Sequence, residues 1–526
     1  MNKKQNAVLE VNPKALSLGK CVELAGKMLS RIYDISQDYK CSSDYLVSCE
    51  SICFAKDKQK QLSVTINYDV KTLGLIAALS QAGVVFSGST DRGKTLLGEY
   101  LLSALFGDEG TGWWAIQVNR ALHVDDFIKI NDEKLNEMKI SESMESAQCL
   151  SFPASLVDEL NRASPKVVNL LFNILDGKRF RVRGDLYLDP GMPYRVNGIQ
   201  KRFSWSICTR NPVNAEYSGT FDEDKAGMRR IPLWLDFDQI PFNPSDIAEI
   251  IDSGTPPKTF MPNSNQTFTA EIIQIYEAIK CLIPMSVRAE LFLNFLAGRN
   301  SCSKTRSGRI DMERVPGICE NCHLLAAHKY CGRVGGLTEG LLRTVETVSR
   351  AVALVRASKS MKWIHSQCLE IRKKHFIARL QESLECDFEG QKLYKKFHDQ
   401  YLANLVVTEE DIKIAYVLVA TNNVWCDETW LSNHTAFEGK RLYLFRQVAE
   451  DECKSMIMLF TEHRDLLNRY LSSPSIEAAD IHEIDTICRM KDPAFNSLKA
   501  ALGRRNIELE QEKKNNKDSE SIWRVA

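Results

Sequence analysis

The sequence predicts an α/β fold with a largely parallel sheet, followed by a helical region, and three observations carry that expectation. An apolar strand, Val84-Val85-Phe86, runs into a glycine-rich loop and then a helical run from Leu96 to Phe106 that stops at Gly107. Strand-like and helical segments alternate from Thr72 to about Phe242, the alternation that builds parallel sheets. Beyond Asn243-Pro244 the apolar residues recur at helical spacing instead.

Composition bounds the rest. The chain has 526 residues, with 68 Lys+Arg against 68 Asp+Glu, so its formal charge cancels. That length suggests two to four domains of about 150 residues. Hydrophobic residues at 44% and charged residues at 26% exclude a wholly disordered, fibrous or membrane-embedded chain. Zero net charge argues against bulk attraction to nucleic acid, although a local basic face stays open. The run Leu75-Ile76-Ala77-Ala78-Leu79 is far shorter than the roughly 18 residues that span a bilayer. The start, Met1-Asn2-Lys3-Lys4-Gln5-Asn6, lacks the apolar core of a signal peptide. Of 16 cysteines, most stand singly, and Cys149, Cys208 and Cys281 sit in apolar context, where a reduced, buried small hydrophobe is expected. A reducing, cytoplasmic setting follows.

The elements divide the chain into four regions. Residues 1–65 carry no assignable chemistry, and residues 66–242 form the α/β core. Residues 243–425 are helical, with a Gly/Arg/Cys-rich insert at 298–336. Ile272, Ile273, Ile275, Tyr276, Ile279, Leu282 and Ile283 make one stripe and Leu291, Phe292, Phe295 and Leu296 another, both read as core. Thr408 stands as an N-cap before Glu409-Glu410-Asp411. Residues 426–526 form a C-terminal extension ending in a charge-dense tail.

The sharpest local signal is Gly88-Ser89-Thr90-Asp91-Arg92-Gly93-Lys94-Thr95, between strand and helix. This is the phosphate-binding loop in its required context. Glycines let backbone N–H groups curl round phosphates, and the following helix presents its positive end. Lys94 would reach the β and γ phosphates of ATP, and the Thr95 hydroxyl would ligate Mg²⁺. The second half of such a site needs carboxylates at a strand end, and Leu156-Val157-Asp158-Glu159 supplies them. Asp158 can hold Mg²⁺, and Glu159 can polarise the attacking water. Phe203 to Thr209 reads as a further strand ending in Arg210-Asn211-Pro212. If that strand lies between the other two, Asn211 could bond the γ-phosphate or the water. Met228-Arg229-Arg230-Ile231 offers arginines that could meet a neighbouring subunit's γ-phosphate.

In order, the loop, the segment Asp158-Glu159-Leu160-Asn161-Arg162-Ala163 and the segment Cys208-Thr209-Arg210-Asn211-Pro212 resemble AAA+ ATPases of the MoxR group. The resemblance covers about residues 72–242. It implies an AAA+ P-loop core, its parallel sheet sandwiched by helices, with an all-α lid that here carries the Cys-rich insert. Leu170 to Gly177 looks like that group's second helix, and Arg179-Phe180-Arg181-Val182 with Tyr187 and Leu188 like its hairpin insert. By the same resemblance Lys94 and Thr95 belong to Walker A, Asp158 and Glu159 to Walker B, Asn211 to sensor 1 and Arg230 to the arginine finger. Arg343, on the helix after Thr338, is the sensor 2 candidate. Three departures stand out. Asp91 occupies a usual loop glycine position, Arg229 replaces an expected acid, and 113 positions separate Arg230 from Arg343.

Cys302, Cys319, Cys322 and Cys331 sit inside the insert, Cys319 and Cys322 with two residues between them after Pro316-Gly317. Four soft ligands in a loop poor in apolar residues suit a structural Zn²⁺ site; a four-cysteine iron–sulfur cluster is the alternative, and His323 and His328 could replace one thiolate. Three functions follow from these readings. One is a ring-forming, Mg²⁺-dependent ATPase, hexameric by resemblance, that remodels or matures a protein client, with a von Willebrand factor A domain protein as possible partner. The second is a nucleic-acid motor using the basic, metal-stapled loop. The third, a switch that binds without hydrolysing, conflicts with the intact Asp158, Glu159 and Asn211.

Overall fold

The computed structural model describes residues 8–37, 39, 44–53, 61–130, 144–177, 179–183, 186–212, 230–240, 267–286, 289–290, 293, 337–369 and 390–423. The described residues fall into two compact units. One holds the described parts of Met1–Ile283, Thr347–Leu405 and Thr421–Asn423, and the other those of Pro284–Glu346 and Val406–Ala420. The four cysteines of the insert, Arg229, the second helical stripe and everything from residue 424 onward lie outside the described residues.

In the first unit, β1 (Leu9–Val11) precedes α1 (Leu18–Ile35). Ser17 starts the helix by accepting the Lys20 N–H, which satisfies one of the orphan donors of the first turn. Cys21, Val22, Ala25, Met28, Leu29 and Ile32 recur at three- and four-residue steps and are buried, so one face packs against later helices. A hairpin of β2 (Leu46–Cys53) and β3 (Gln61–Tyr68) leads to α2 (Val70–Leu79). Asp69 caps α2, accepting the Thr72 N–H at 2.8 Å and the Tyr33 hydroxyl at 2.7 Å. Every residue of α2 is buried, which accounts for its lack of a polar face.

The central sheet follows. β4 (Val84–Ser87) feeds α3 (Lys94–Phe106), and β5 (Trp113–Gln117) comes next. A small hairpin pairs β6 (Ile128–Ile130) with β7 (Met144–Ser146). β8 (Ala154–Asp158) is followed by α4 (Pro165–Leu175). Two hairpins then intervene, β9 (Phe180–Arg183) with β10 (Leu186–Leu188), and β11 (Met192–Val196) with β12 (Ile199–Phe203). The first lies where the hairpin insert was expected. β13 (Trp205–Arg210) and β14 (Leu233–Asp236) complete the set. Five strands form one parallel sheet in the order β14-β4-β13-β8-β5. Helices cover the faces of a parallel sheet, so its central strands read as nearly unbroken apolar runs. Val84 to Ser87 and Trp205 to Thr209 are all buried.

Helices dominate thereafter: α5 (Thr269–Leu282), α6 (Glu339–Leu369), α7 (Gly390–Ala403) and α8 (Glu409–Asn423). On α5 the expected stripe is buried at Ile272, Ile273, Ile275 and Ile279. Cys281 corrects an expectation, because it is exposed. Apolar neighbours in sequence placed it in the core, but at about 100° per residue it points away from the face that buries Ile272, Ile275 and Ile279. Cys208 is buried on β13 as expected, and burial pushes the Cys21 thiol up to about 12. In the second unit, Val407 bridges the segment Pro284–Ser286 through its N–H and carbonyl at 2.8 and 2.9 Å. There Thr408 and Asp411 form a reciprocal cap at the start of α8. No described helix is long and apolar enough to cross a membrane.

A buried ion pair ties β2 to α6 and α7 within the first unit. Arg356 and Glu50 pair with side chains only 6% and 11% exposed, and Glu50 also accepts from Tyr401 at 2.8 Å and Ser360 at 2.5 Å. Removing one partner of such a pair strands the other charge, at a cost of about 3–5 kcal/mol. Arg356→Met is therefore expected to lower the urea midpoint sharply, whereas Arg343→Met, at an exposed pair with Glu339, should move it little, for a stability change of less than about 1 kcal/mol.

Candidate nucleotide site

The chain enters the loop from β4, between β14 and the central strand β13. Gly88 adopts φ +147°, and a Cβ there would stand 3.0 Å from Phe237 Cβ and 3.3 Å from the Asp238 nitrogen. Gly93, the N-cap of α3, sits at φ +70° with no side-chain cap, so first-turn N–H groups keep no local side-chain acceptor. Asp91 is left-handed too, at φ +63°. That explains why glycine is the usual residue here; aspartate is among the few others that tolerate the region. Thr90 and Asp91 are exposed, and Ser89 and Arg92 are both bound to Asp238.

The buried Lys94 side chain donates from Nζ to the carbonyls of Gly88 and Ser89, at 2.7 and 2.5 Å, and to Asn211 Oδ1 at 3.1 Å. β13 lies between β4 and β8, which puts Asn211 between the loop and the carboxylates. Thr95 Oγ1 donates to Asp158 Oδ1 at 2.8 Å. The same carboxylate oxygen accepts from Thr209 Oγ1, and that hydroxyl accepts the Glu159 N–H at 2.9 Å. Glu159 itself is left-handed, at φ +57°, an uncommon conformation of the kind found at functional sites. Its carboxylate pairs with Arg162 at 2.8 Å. Asn161, fully buried, donates to the Asn211 carbonyl at 2.9 Å.

The donor set suits the groups the motifs imply. Thr95 and Asp158 offer hard oxygens side by side, the ligand type Mg²⁺ takes. Lys94, the glycine backbone and the uncapped end of α3 suit phosphate oxygens. Among the described residues no cluster of three or more His, Cys, Asp and Glu side chains is placed to hold a metal by itself.

Not every expected residue joins this cluster. Arg230 is exposed, and its partner among the described residues is Asn173 on α4. Arg343 is exposed and pairs with Glu339 one turn earlier on α6, within the second unit. Conversely, four contributors carry no assigned role in the sequence reading. Thr209 lies on β13 two positions before Asn211, which follows the strand's last residue, a signal that was present. Asn161 and Arg162 lie within the quoted carboxylate segment. Tyr39 had no signal. Its ring edge stands 2.8 Å from where a Gly93 Cβ would be, and the buried Lys71 fixes it by donating to the Ser36 and Tyr39 carbonyls at 2.9 and 3.3 Å.

No family model matches the chain, and no curated protein matches it. Solved structures similar to it include these two. One is an ATPase candidate from Cytophaga hutchinsonii, at 13% identity and TM-score 0.46, covering 82% of this chain and 96% of that one. The other is a full-length MCM homolog from Methanopyrus kandleri, at 13% identity and TM-score 0.33, covering 77% of this chain and 60% of that one. The class is defined by the molecule's own geometry. A parallel sheet with the loop strand beside its central strand, carboxylates two strands away and Asn211 between them is the P-loop arrangement that the motifs implied.

Glu99, half-buried on α3, has its carboxyl pKa raised by burial, and further by Glu109 and Asp158. It therefore binds its proton more tightly folded than unfolded, so its ionisation lowers stability as pH rises above the ordinary glutamate range. Glu99→Gln is expected to melt slightly above wild type at pH 7 and to converge with it in acid, as read by thermal denaturation across pH.

Proposed function

We propose that this chain binds ATP with Mg²⁺ in the crevice at the carboxyl ends of β4, β13 and β8 and hydrolyses it. The observation that carries the reading is the 2.8 Å contact between Thr95 and Asp158, which unites the two halves of the site, one on the first turn of α3 and one at the end of β8. Lys94 would turn from its backbone acceptors to the β and γ phosphates, and Asn211 would take the γ-phosphate or the water. Thr95 and Asp158 would hold Mg²⁺, which neutralises phosphate charge when bound. Glu159, oriented by Thr209 beneath it and Arg162 beside it, would accept the proton of the attacking water. We read the exposed Arg230 as an arginine that serves a neighbouring subunit's site in a ring.

On the resemblance to the MoxR group we read the client as a protein, remodelled or matured in a hexamer, with a von Willebrand factor A domain protein as a candidate partner. The regions bounded at 65, 242 and 425 remain our proposed domains, and Arg343 our proposed sensor 2. Lys94→Ala is expected to abolish ATP binding in calorimetry. Glu159→Gln should bind ATP as wild type does while turnover falls at least about 100-fold, the scale of a lost general base. Wild-type turnover in Glu159→Gln would sink the catalytic assignment, and strong stimulation by single-stranded DNA would favour the nucleic-acid motor. For the cysteines we propose one structural Zn²⁺, with an iron–sulfur cluster as the alternative. Elemental analysis should find the metal in wild type and at least halved in Cys319→Ser, and broad visible absorption would identify the cluster instead.

A further inference from the structure

Asp238 lies 149 positions after Ser89, just past β14, in a short turn that belongs to no motif of the loop. Its two carboxylate oxygens accept the Ser89 N–H at 3.0 and 2.9 Å, and the Ser89 hydroxyl donates to the second at 3.1 Å. Arg92 Nε stands 3.3 Å from the first. One side chain thus grips the loop at two points three residues apart. The turn is itself held. Asp236 accepts the Asp238 N–H at 3.0 Å and the Gln239 amide at 2.7 Å, and the Phe237 ring packs on Phe86 of β4 at 5.1 Å. Gly88 is hemmed against this same turn, so the turn sets where the loop leaves the strand.

We propose that Asp238 is a positioning residue for nucleotide binding, a brace that holds the phosphate loop in its receiving shape; this rests on the nucleotide reading above. Ser89 is the pivot. Its N–H is held by Asp238 while its carbonyl accepts from Lys94. When Lys94 turns to phosphate, the Gly88 and Ser89 carbonyls lose their cation and the loop loses an internal tie. Asp238 keeps the Ser89 peptide in place through that exchange. It also engages Arg92, leaving Lys94 as the loop's cation for the phosphates. The brace touches neither Asp158 nor Glu159, so its loss falls on binding and spares the chemical step.

The test compares ATP affinity by calorimetry with steady-state KM and kcat. Asp238→Ala is expected to raise Kd and KM about tenfold, the scale of one or two charge-assisted hydrogen bonds, with kcat within about twofold. Asp238→Asn, which keeps an acceptor for Ser89 but loses the charge facing Arg92, should fall between. Arg92→Ala added to Asp238→Ala should change little further, because the two act through one contact. Hydrogen exchange over residues 88–93, measured without nucleotide, should accelerate in Asp238→Ala. Unchanged Kd and exchange would overturn the brace, as would additive Arg92 and Asp238 effects or a fall in kcat matching the rise in KM. If wild type binds no ATP, the nucleotide reading fails by itself, and the exchange rates alone then decide whether the brace exists.

Discussion

Everything at this site depends on one carboxylate oxygen that two hydroxyls share. Strands in a sheet are about 4.8 Å apart, so β8, two strands from β4, places Asp158 about 10 Å from the loop strand. No side chain on β4 itself closes that gap. Thr95 does, because the loop carries the first turn of α3 back over the sheet edge, and Thr209 fills the space below from the strand between. Asp158 thereby links the loop helix, the central strand and its own strand. Thr209 then passes the constraint to Glu159 by accepting its backbone N–H, which supports a left-handed residue that would otherwise be costly.

The parts legible in the sequence were those written locally. The loop announces itself in eight consecutive residues, and α3 is bounded by two glycines whose positive φ values match their roles. The stripe on α5 and the cap at Thr408 also came from short-range spacing. The order of strands did not. Asn211 could be placed only conditionally, because whether β13 enters between β4 and β8 is a matter of long-range pairing. Asp238 was invisible for the same reason, being an ordinary acid 149 positions from its partner. Cys281 shows the opposite error, in which apolar neighbours suggested burial and the helix phase decided against it.

Residues before 66 carried no chemistry in the sequence, yet they form part of the wall around the loop. The periodicity of α1 was available, but what it packs on was not. In the structure the end of α1 is tethered by Lys71, a buried cation at a helix C-terminus, where the dipole favours positive charge. That tether seats Tyr39 against Gly93, so a glycine explained by its backbone angle is held to that identity a second time by a ring from outside the core.

The place of β4 in the sheet also bears on how the chain acquires its shape. Both its neighbours, β13 and β14, arrive more than a hundred residues later in sequence. During synthesis the Val84–Ser87 segment therefore emerges with two open edges and no partner for either. Pairings of such long range are slow to form, and unpaired apolar strands invite association with other chains. The loop's neighbours at the sheet edge, Asn211 and Asp238, come from the same late-arriving segments. An emerging chain thus passes through a long interval in which its most apolar strand is exposed and its phosphate loop has no fixed form, and both conditions end in the same pairing event.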